Sequence, residues 1–462
     1  MRLGHVICQG ASYRKGTYSE LITCLDPFSE AYRRTMKHGY KHNHYVPEWY
    51  QKRFLPAGQH RQWYLDLRPE RVKSDGRSYT RRALLHWGPA KCFAQDDLYT
   101  TRWGSIENRD IERFFFGQLD NSAPAAVAHF ADFEFNSESG DAFNTLLPYM
   151  SVQKLRTPKG LGWLRSVLGS SSKNRTLVEM QRIQNIFCNI WGEAVWQIAD
   201  ASKSPTKFII SDHPVVAYNR ECFPASKWCS GYNDPDVRMV ATHTYLPLSP
   251  DKILILTNLA WVRDPYQNAH KLRPNPKYFR PAALFNMMDI QHYRYLSEEE
   301  VIEINYVTKR SAFRYIASPV KEWLFPESRL RSTHWRKLGD GYLFMPDPRH
   351  IHGGGTTFVG FQGGGSDGWD AYGRKPWQEG YEDKTLEEHE WRTMQKFKAE
   401  WAAEMGPCYR GVELDYGDRE IRWSMGDDYH RSECERDKKN LGLPGEKARR
   451  RRLKRTVSGL KV

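Results

Sequence analysis

The stretch Asn43-His44-Tyr45-Val46-Pro47, continued by Glu48-Trp49-Tyr50-Gln51-Lys52-Arg53-Phe54, anchors the reading of this chain. Val46 is β-branched and stiff at its side chain. Pro47 fixes its own φ and pushes residue 46 towards an extended backbone. A histidine among such neighbours has a set direction, and its imidazole titrates near neutral pH. Three roles are open to His44: general base, metal ligand, or a buried residue bonded to backbone. His42 is expected to face the opposite side of a strand, which sets the pair aside as a metal site.

Outward from this stretch, residues 62–67 and 83–87 read as strands around a polar turn region. From 106 to 130 the period becomes helical, with Ile111, Phe114, Phe115, Leu119, Ala126, Val127 and Phe130 at three- and four-residue steps. Pro124 is expected to separate two helices or to open the second. Residues 141–155 form a further helix that Pro158 stops or bends, and 176–190 another. At 191 the period turns strand-like, with candidates at 194–198, 207–210, 239–246 and 252–257. The last two flank Pro247-Leu248-Ser249-Pro250-Asp251, a turn whose prolines stay outside the ladder. Ser297, followed by three glutamates, opens a helix expected to run to about residue 316.

The expected fold class is α+β: a helical core packed on a mainly antiparallel sheet, with a Gly-rich and basic C-terminal extension. The expected division is an extension over 1–40, an α+β domain over 41–330, a Gly-rich irregular segment over 331–385, a partly helical region over 386–445, and a basic, disordered tail over 446–462. Two glycine triplets, Gly353–Gly355 and Gly363–Gly365, lack the lysine and helix start of a phosphate-binding loop. They read as linker or as a glycine-rich strand pair.

With 462 residues, 40% hydrophobic residues, 16 Trp and 25 Tyr, the chain can fill a large, aromatic-rich core. No apolar run reaches the roughly 18 residues of a membrane helix, and the first residues lack a signal-peptide stretch, so a cytoplasmic protein with no membrane partner is expected. The eight cysteines form no Cys-x-x-Cys pair and read as reduced thiols. Net charge is +14, of which the segment from Glu446 supplies half through eight basic residues against one acidic. That tail, centred on Arg449, Arg450, Arg451 and Arg452, is a candidate nucleic-acid contact, set against a solvated, disordered end.

Several short motifs occur in a telling order. They are the Asn43–Pro47 opening, the run to Phe54, Gln153-x-x-Arg156-Thr157-Pro158, Ser211-Asp212-x-Pro214 and Pro247-Leu248-Ser249-Pro250. The set resembles the family called domain of unknown function four-two-three-eight, over roughly residues 41–320. Asn305, ahead of Tyr315, resembles that family's closing helix. Glu48 stands where the family usually has glutamine, and His213 where it often has asparagine. The resemblance implies a fold and almost no chemistry.

The residues themselves suggest a polar site. His44, Arg156 and Asp212 are the candidate catalytic groups, with Gln153, His213 and Asn305 as candidate binding groups and Glu112 a further carboxylate. A histidine base, an acid for orientation or a divalent metal, and an arginine for negative charge would suit a phosphodiester. Gln153 and Arg156, three apart, share a helix face. No hydrolase or nucleotide-binding signature accompanies them. The alternative is a non-catalytic binding or sensor module in which the same residues lock the fold: Arg156 pairing with a core carboxylate, Asp212 in a turn.

Overall fold

The computed structural model describes residues 42–405, apart from 75–76, 230–231, 274–286, 352–356, 361–362 and 371–373, together with two short strands, Glu413–Asp415 and Arg422–Ser424. The expectations for residues 1–40 and for the basic tail with Arg449–Arg452 lie outside the described residues.

Strand β1 (His42–His44) leads through Pro47, the N-cap residue, into the short helix α1 (Glu48–Lys52). Strands β2 (Gln62–Asp66) and β3 (Leu84–Trp87) follow as read from the sequence, and β4 (Ala94–Asp96) pairs antiparallel with β1. A hairpin over 101–108 gives way to one π-helical turn, Ile111–Phe116, which runs into α2 (Gly117–Ala131). Pro124 neither separates nor opens a helix, because α2 continues through it. The packing of Ala123, Ala126, Val127 and Phe130 into the core outweighs the single backbone bond that proline removes.

Helix α3 (Ser139–Arg156) stops where expected. Thr157 then caps α4 (Pro158–Leu168), accepting from the N–H of Gly160, with Pro158 at the first position. The helix expected over 176–190 is two, α5 (Lys173–Arg182) and α6 (Cys188–Gly192). Beyond them come β5 (Ala194–Asp200), β6 (Ile210–Ser211), β7 (Val216–Tyr218), β8 (His243–Pro247) and β9 (Lys252–Asn258). After a short helix, α7 (Leu259–Arg263), strand β10 (Gln291–Tyr295) precedes α8 (Glu298–Ser311), whose capping box joins Ser297 and Glu300 in both directions. This helix ends five residues before the expected 316. The N–H groups of Phe313, Arg314 and Tyr315 turn to the Asp212 carboxylate, and β11 (Tyr315–Ser318) begins.

The fold class is α+β. One sheet has the order β6-β11-β2-β3 and is wholly antiparallel; the other, β7-β8-β9-β5-β10, is antiparallel except for the parallel β10–β5 pair. Helices α2 and α3 pack on each other and against the second sheet. Phe130 and Phe143 meet the Trp196 ring of β5 at centroid distances of 5.5 and 5.1 Å. Such ring pairs add about 0.5–1.5 kcal/mol each beyond area burial. Trp335, Leu338, Leu343 and Phe344 are buried in this same core. Gly363–Gly365 lie in the turn of a hairpin, Thr357–Gly360 with Ser366–Trp369, while Gly353–Gly355 fall outside the described residues; the charged helix α9 (Lys384–Met405) packs against α7. Among the described residues, no helix is long and apolar enough to cross a membrane.

The motifs recur together for a physical reason. The Tyr50 hydroxyl donates to the Pro247 carbonyl at 2.6 Å, and Arg53 Nε to the Leu248 carbonyl at 3.0 Å, so α1 holds the Pro247–Pro250 turn some two hundred residues away. Gln153 Nε2 donates to the Tyr45 carbonyl at 2.8 Å and ties the opening motif to α3.

Candidate functional site

The last turn of α3 is the hub. Gln153 and Arg156 lie on one face of it, as their spacing implies, and both are fully buried. Gln153 Oε1 accepts from Arg156 Nε at 2.7 Å, and the two outer nitrogens of the guanidinium bind both oxygens of Asp120 on α2 at 3.0 and 2.9 Å. The Tyr99 hydroxyl secures the Arg156 carbonyl at 2.8 Å. Burial opposes the Arg156 charge, but Asp120 outweighs burial and raises the guanidinium above its ordinary value. The guanidinium also stands 5.2 Å from the Phe116 ring and 5.9 Å from the Tyr149 ring.

Glu112 enters this cluster from the π-helical turn, the kind of helix insertion that recurs at functional sites. Burial pushes its carboxyl from the usual 4.5 up to about 7; Arg156 pulls it down, Asp120 raises it, and a hydrogen bond from Asn43 lowers it. Glu112 Oε2 and Trp49 Nε1 are buried here without a hydrogen-bond partner, and the Tyr149 hydroxyl, which accepts from the Arg156 guanidinium, has no acceptor for its own proton. Trp49 and Tyr149 are themselves neighbours, at a ring separation of 5.5 Å. The cluster is not sealed, since the Asp120 side chain is 27% exposed and Trp49 and Glu112 are only partly buried.

His44 stands apart from it. Successive strand residues point to opposite faces, so Asn43 faces the cluster, its Oδ1 accepting from the Tyr99 N–H, while His44 turns away. Nε2 of His44 lies 3.2 Å from the Ala90 carbonyl and 3.7 Å from Glu48, and burial lowers its pKa against the raising effect of Glu48. The expectation that His42 faces the other side is corrected. Residues two apart on a strand share a face, and the two rings meet edge to face at 5.3 Å. His42 pairs with Asp96 at 2.8 Å.

Asp212 is a buried carboxylate accepting three backbone N–H groups, from Phe313, Arg314 and Tyr315, at 2.8, 2.6 and 2.8 Å. Burial pushes its pKa up to about 6, against the pull of those donors. Asn305 spans α8 and the segment before β6, donating to the Lys207 carbonyl at 2.8 Å and accepting from the Ile209 N–H at 3.1 Å. His213 belongs to a separate charged knot behind the hub, with Thr157 at 2.7 Å and Lys154 and Asp234 each at 3.2 Å. Asp234 holds both Lys154 (2.9 Å) and Lys159 (2.7 Å). Burial and the Lys154 charge drive His213 down to about 3, so it is a neutral imidazole.

Of the candidates, the fold therefore brings together Gln153, Arg156 and Glu112. His44, Asp212, His213 and Asn305 sit in other environments, each with partners. Sequence reasoning missed Asn43, Trp49, Asp120 and Tyr149. Asn43 and Trp49 lie inside the opening motif, where strand alternation sets Asn43 opposite His44 without saying which of the two meets the cluster, and nothing local marks Asp120 or Tyr149. Among the described residues, no group of three or more His, Cys, Asp or Glu side chains is arranged to hold a metal ion.

The model of one protein family, described as protein of unknown function (DUF4238), matches residues 42–322. No curated protein and no solved structure matches the chain.

Proposed function

The chain belongs to the DUF4238 family, and on that premise we propose that its domain is a binding module that holds a planar, uncharged polar group, such as a nucleobase or carboxamide, between Trp49, Glu112 and Tyr149. The observation that carries this reading is unused hydrogen-bonding capacity at three buried atoms, Trp49 Nε1, Glu112 Oε2 and Tyr149 Oη: the Trp49 and Tyr149 rings are neighbours, and Glu112 and Tyr149 both lie within the influence of the engaged Arg156 guanidinium. Buried polar groups ordinarily find partners, and a set lacking them in one place is a standing offer to a ligand. Trp49 and Tyr149 offer N–H and O–H, and Glu112 accepts. Arg156 is an unsuitable phosphate reader, because its fork is filled by Asp120 and Gln153. His44, Asp212 and Asn305 serve as fold staples in this reading.

Direct binding measurements on the full chain test it, following Trp emission and melting temperature against adenine, guanine, cytosine, uracil and nicotinamide. A ligand N–H given to Glu112 needs the carboxylate. With a pKa of about 7, apparent affinity should fall about ten-fold between pH 8 and pH 6, following the competent fraction. Glu112→Gln should abolish that pH dependence and Trp49→Phe should weaken binding. No response to any of the five compounds, or one that Glu112→Gln leaves untouched, sinks the proposal.

A second reading, action on nucleic acid or another phosphodiester, is favoured by the same carboxyl, since a group titrating near neutrality suits general acid–base work. It would run through Glu112 rather than His44. Cleavage of single- or double-stranded DNA or RNA by the wild type, lost in Glu112→Gln and retained in His44→Ala, would put this reading first.

A further inference from the structure

The excursion between β7 and β8 contains a small buried cluster made of sulfur alone: Cys222, Cys229 and Met239, exposed by 0%, 2% and 6%. An ordinary satellite core would be built from aliphatic side chains; here two thiols and a thioether meet apart from the main core. The Cys222 and Met239 sulfurs are 3.7 Å apart, and the Cys229 thiol reaches back to the Cys222 carbonyl at 3.3 Å. The excursion is held by short turns, Cys222 N–H to the Asn219 carbonyl and Cys229 N–H to the Ser226 carbonyl, both at 3.0 Å, and Met239 is fixed by a bridge to Leu272.

We propose that Cys222, Cys229 and Met239 form a three-coordinate site for a soft monovalent metal ion, cuprous copper being the natural occupant. With metal–sulfur bonds of about 2.3 Å, three sulfurs around a trigonal ion stand about 4.0 Å apart; the Cys222 and Met239 sulfurs are already close to that spacing, and Cys229 completes the three by turning its thiol from the Cys222 carbonyl. Thiolate and thioether ligands select Cu(I), whereas structural zinc takes four ligands from Cys, His and carboxylates, and this cluster supplies only two of that kind. On binding, each thiol loses its proton to solvent and forms one S–Cu bond, while Met239 adds a lone pair; copper stays Cu(I), and two protons leave per ion. Burial pushes the free Cys222 thiol up to about 12, so without metal it is a poor nucleophile. Burial raises the Cys229 thiol as well, against a hydrogen bond from Ser226, with Asp234 adding to the rise and Lys159 opposing it.

The test is anaerobic titration of the reduced full chain with Cu(I) against bicinchoninate, with Ag(I) as a redox-inert second probe and proton release followed in weak buffer. One ion per chain should bind with release of two protons. That equivalent should disappear in the Cys222→Ser/Cys229→Ser variant, and affinity should fall at least ten-fold in Met239→Leu, which keeps volume and apolarity. Retention of the full stoichiometry and affinity by the double variant would assign the metal to other cysteines and overturn the proposal. Should the double variant fail to fold, Met239→Leu decides: unchanged Cu(I) affinity overturns the site. A Cys222–Cys229 disulfide that forms equally fast with and without bound Ag(I) also overturns it.

Discussion

Replacing Glu112 by glutamine should make the protein more stable in alkaline solution, although it removes a charge beside an arginine. Glu112 carries a carboxyl whose pKa burial raises from 4.5 to about 7. A carboxyl raised on folding binds its proton more tightly in the native state than in the unfolded chain. Its contribution is therefore fully present below pH 4.5 and is lost as pH climbs through 7. The full loss is about 2.5 pK units at 1.36 kcal/mol each, or about 3.4 kcal/mol, and about 2.5 kcal/mol of it falls between pH 5 and pH 8.5. Glutamine has no proton to lose and keeps nearly the same shape. The stability difference, variant minus wild type, should thus grow by about 2.5 kcal/mol over that interval, less whatever solvent screening at the partly open site removes. Urea unfolding at pH 5, 7 and 8.5, followed by Trp fluorescence, measures this from the midpoints. Parallel pH profiles for the two proteins would refute the burial argument and, with it, the role given to Glu112.

Two further outcomes follow from the same structure. Asp212→Ala frees three backbone N–H groups at the turn into β11; at about 1–3 kcal/mol per stranded donor, a loss of about 4 kcal/mol is expected, with Asp212→Asn costing less because one oxygen remains. A thermal shift under about 2 °C for Asp212→Ala would show that those donors find other partners. His44, held below its ordinary pKa by burial, should titrate by NMR with a midpoint under 6.5. The unfolded chain then takes up the proton more readily, so wild-type stability should fall as pH drops through 6.5, a loss that His44→Ala should reduce. A midpoint at or above 6.5 contradicts the burial of the ring.

The chain's own letters settled a good deal. Hydrophobic period located α3, α8, β2, β5 and β9, because those elements carry their burial pattern in adjacent residues. Ser297 with Glu300 gave the start of α8, and Pro158 the end of α3, because capping and proline effects act within one turn. The ordered motifs pointed to the family. Other features had no local signature. Pro124 reads as a break, yet α2 runs through it, since the core contacts that override it come from α3. The end of α8 depends on a carboxylate about one hundred residues earlier in the chain. Gln153 and Arg156 were recognisable as a shared face, but their partner Asp120 is 36 residues from Arg156 and unremarkable in its own neighbourhood. Tertiary packing also decided that Asn43, not His44, faces the polar cluster: one register of β1 against β4 turns alternate side chains to opposite faces, and only the assembled fold says which face is which. Local sequence fixes the conformation of a segment, whereas a site is made by side chains from distant segments, whose meeting only the packed core enforces.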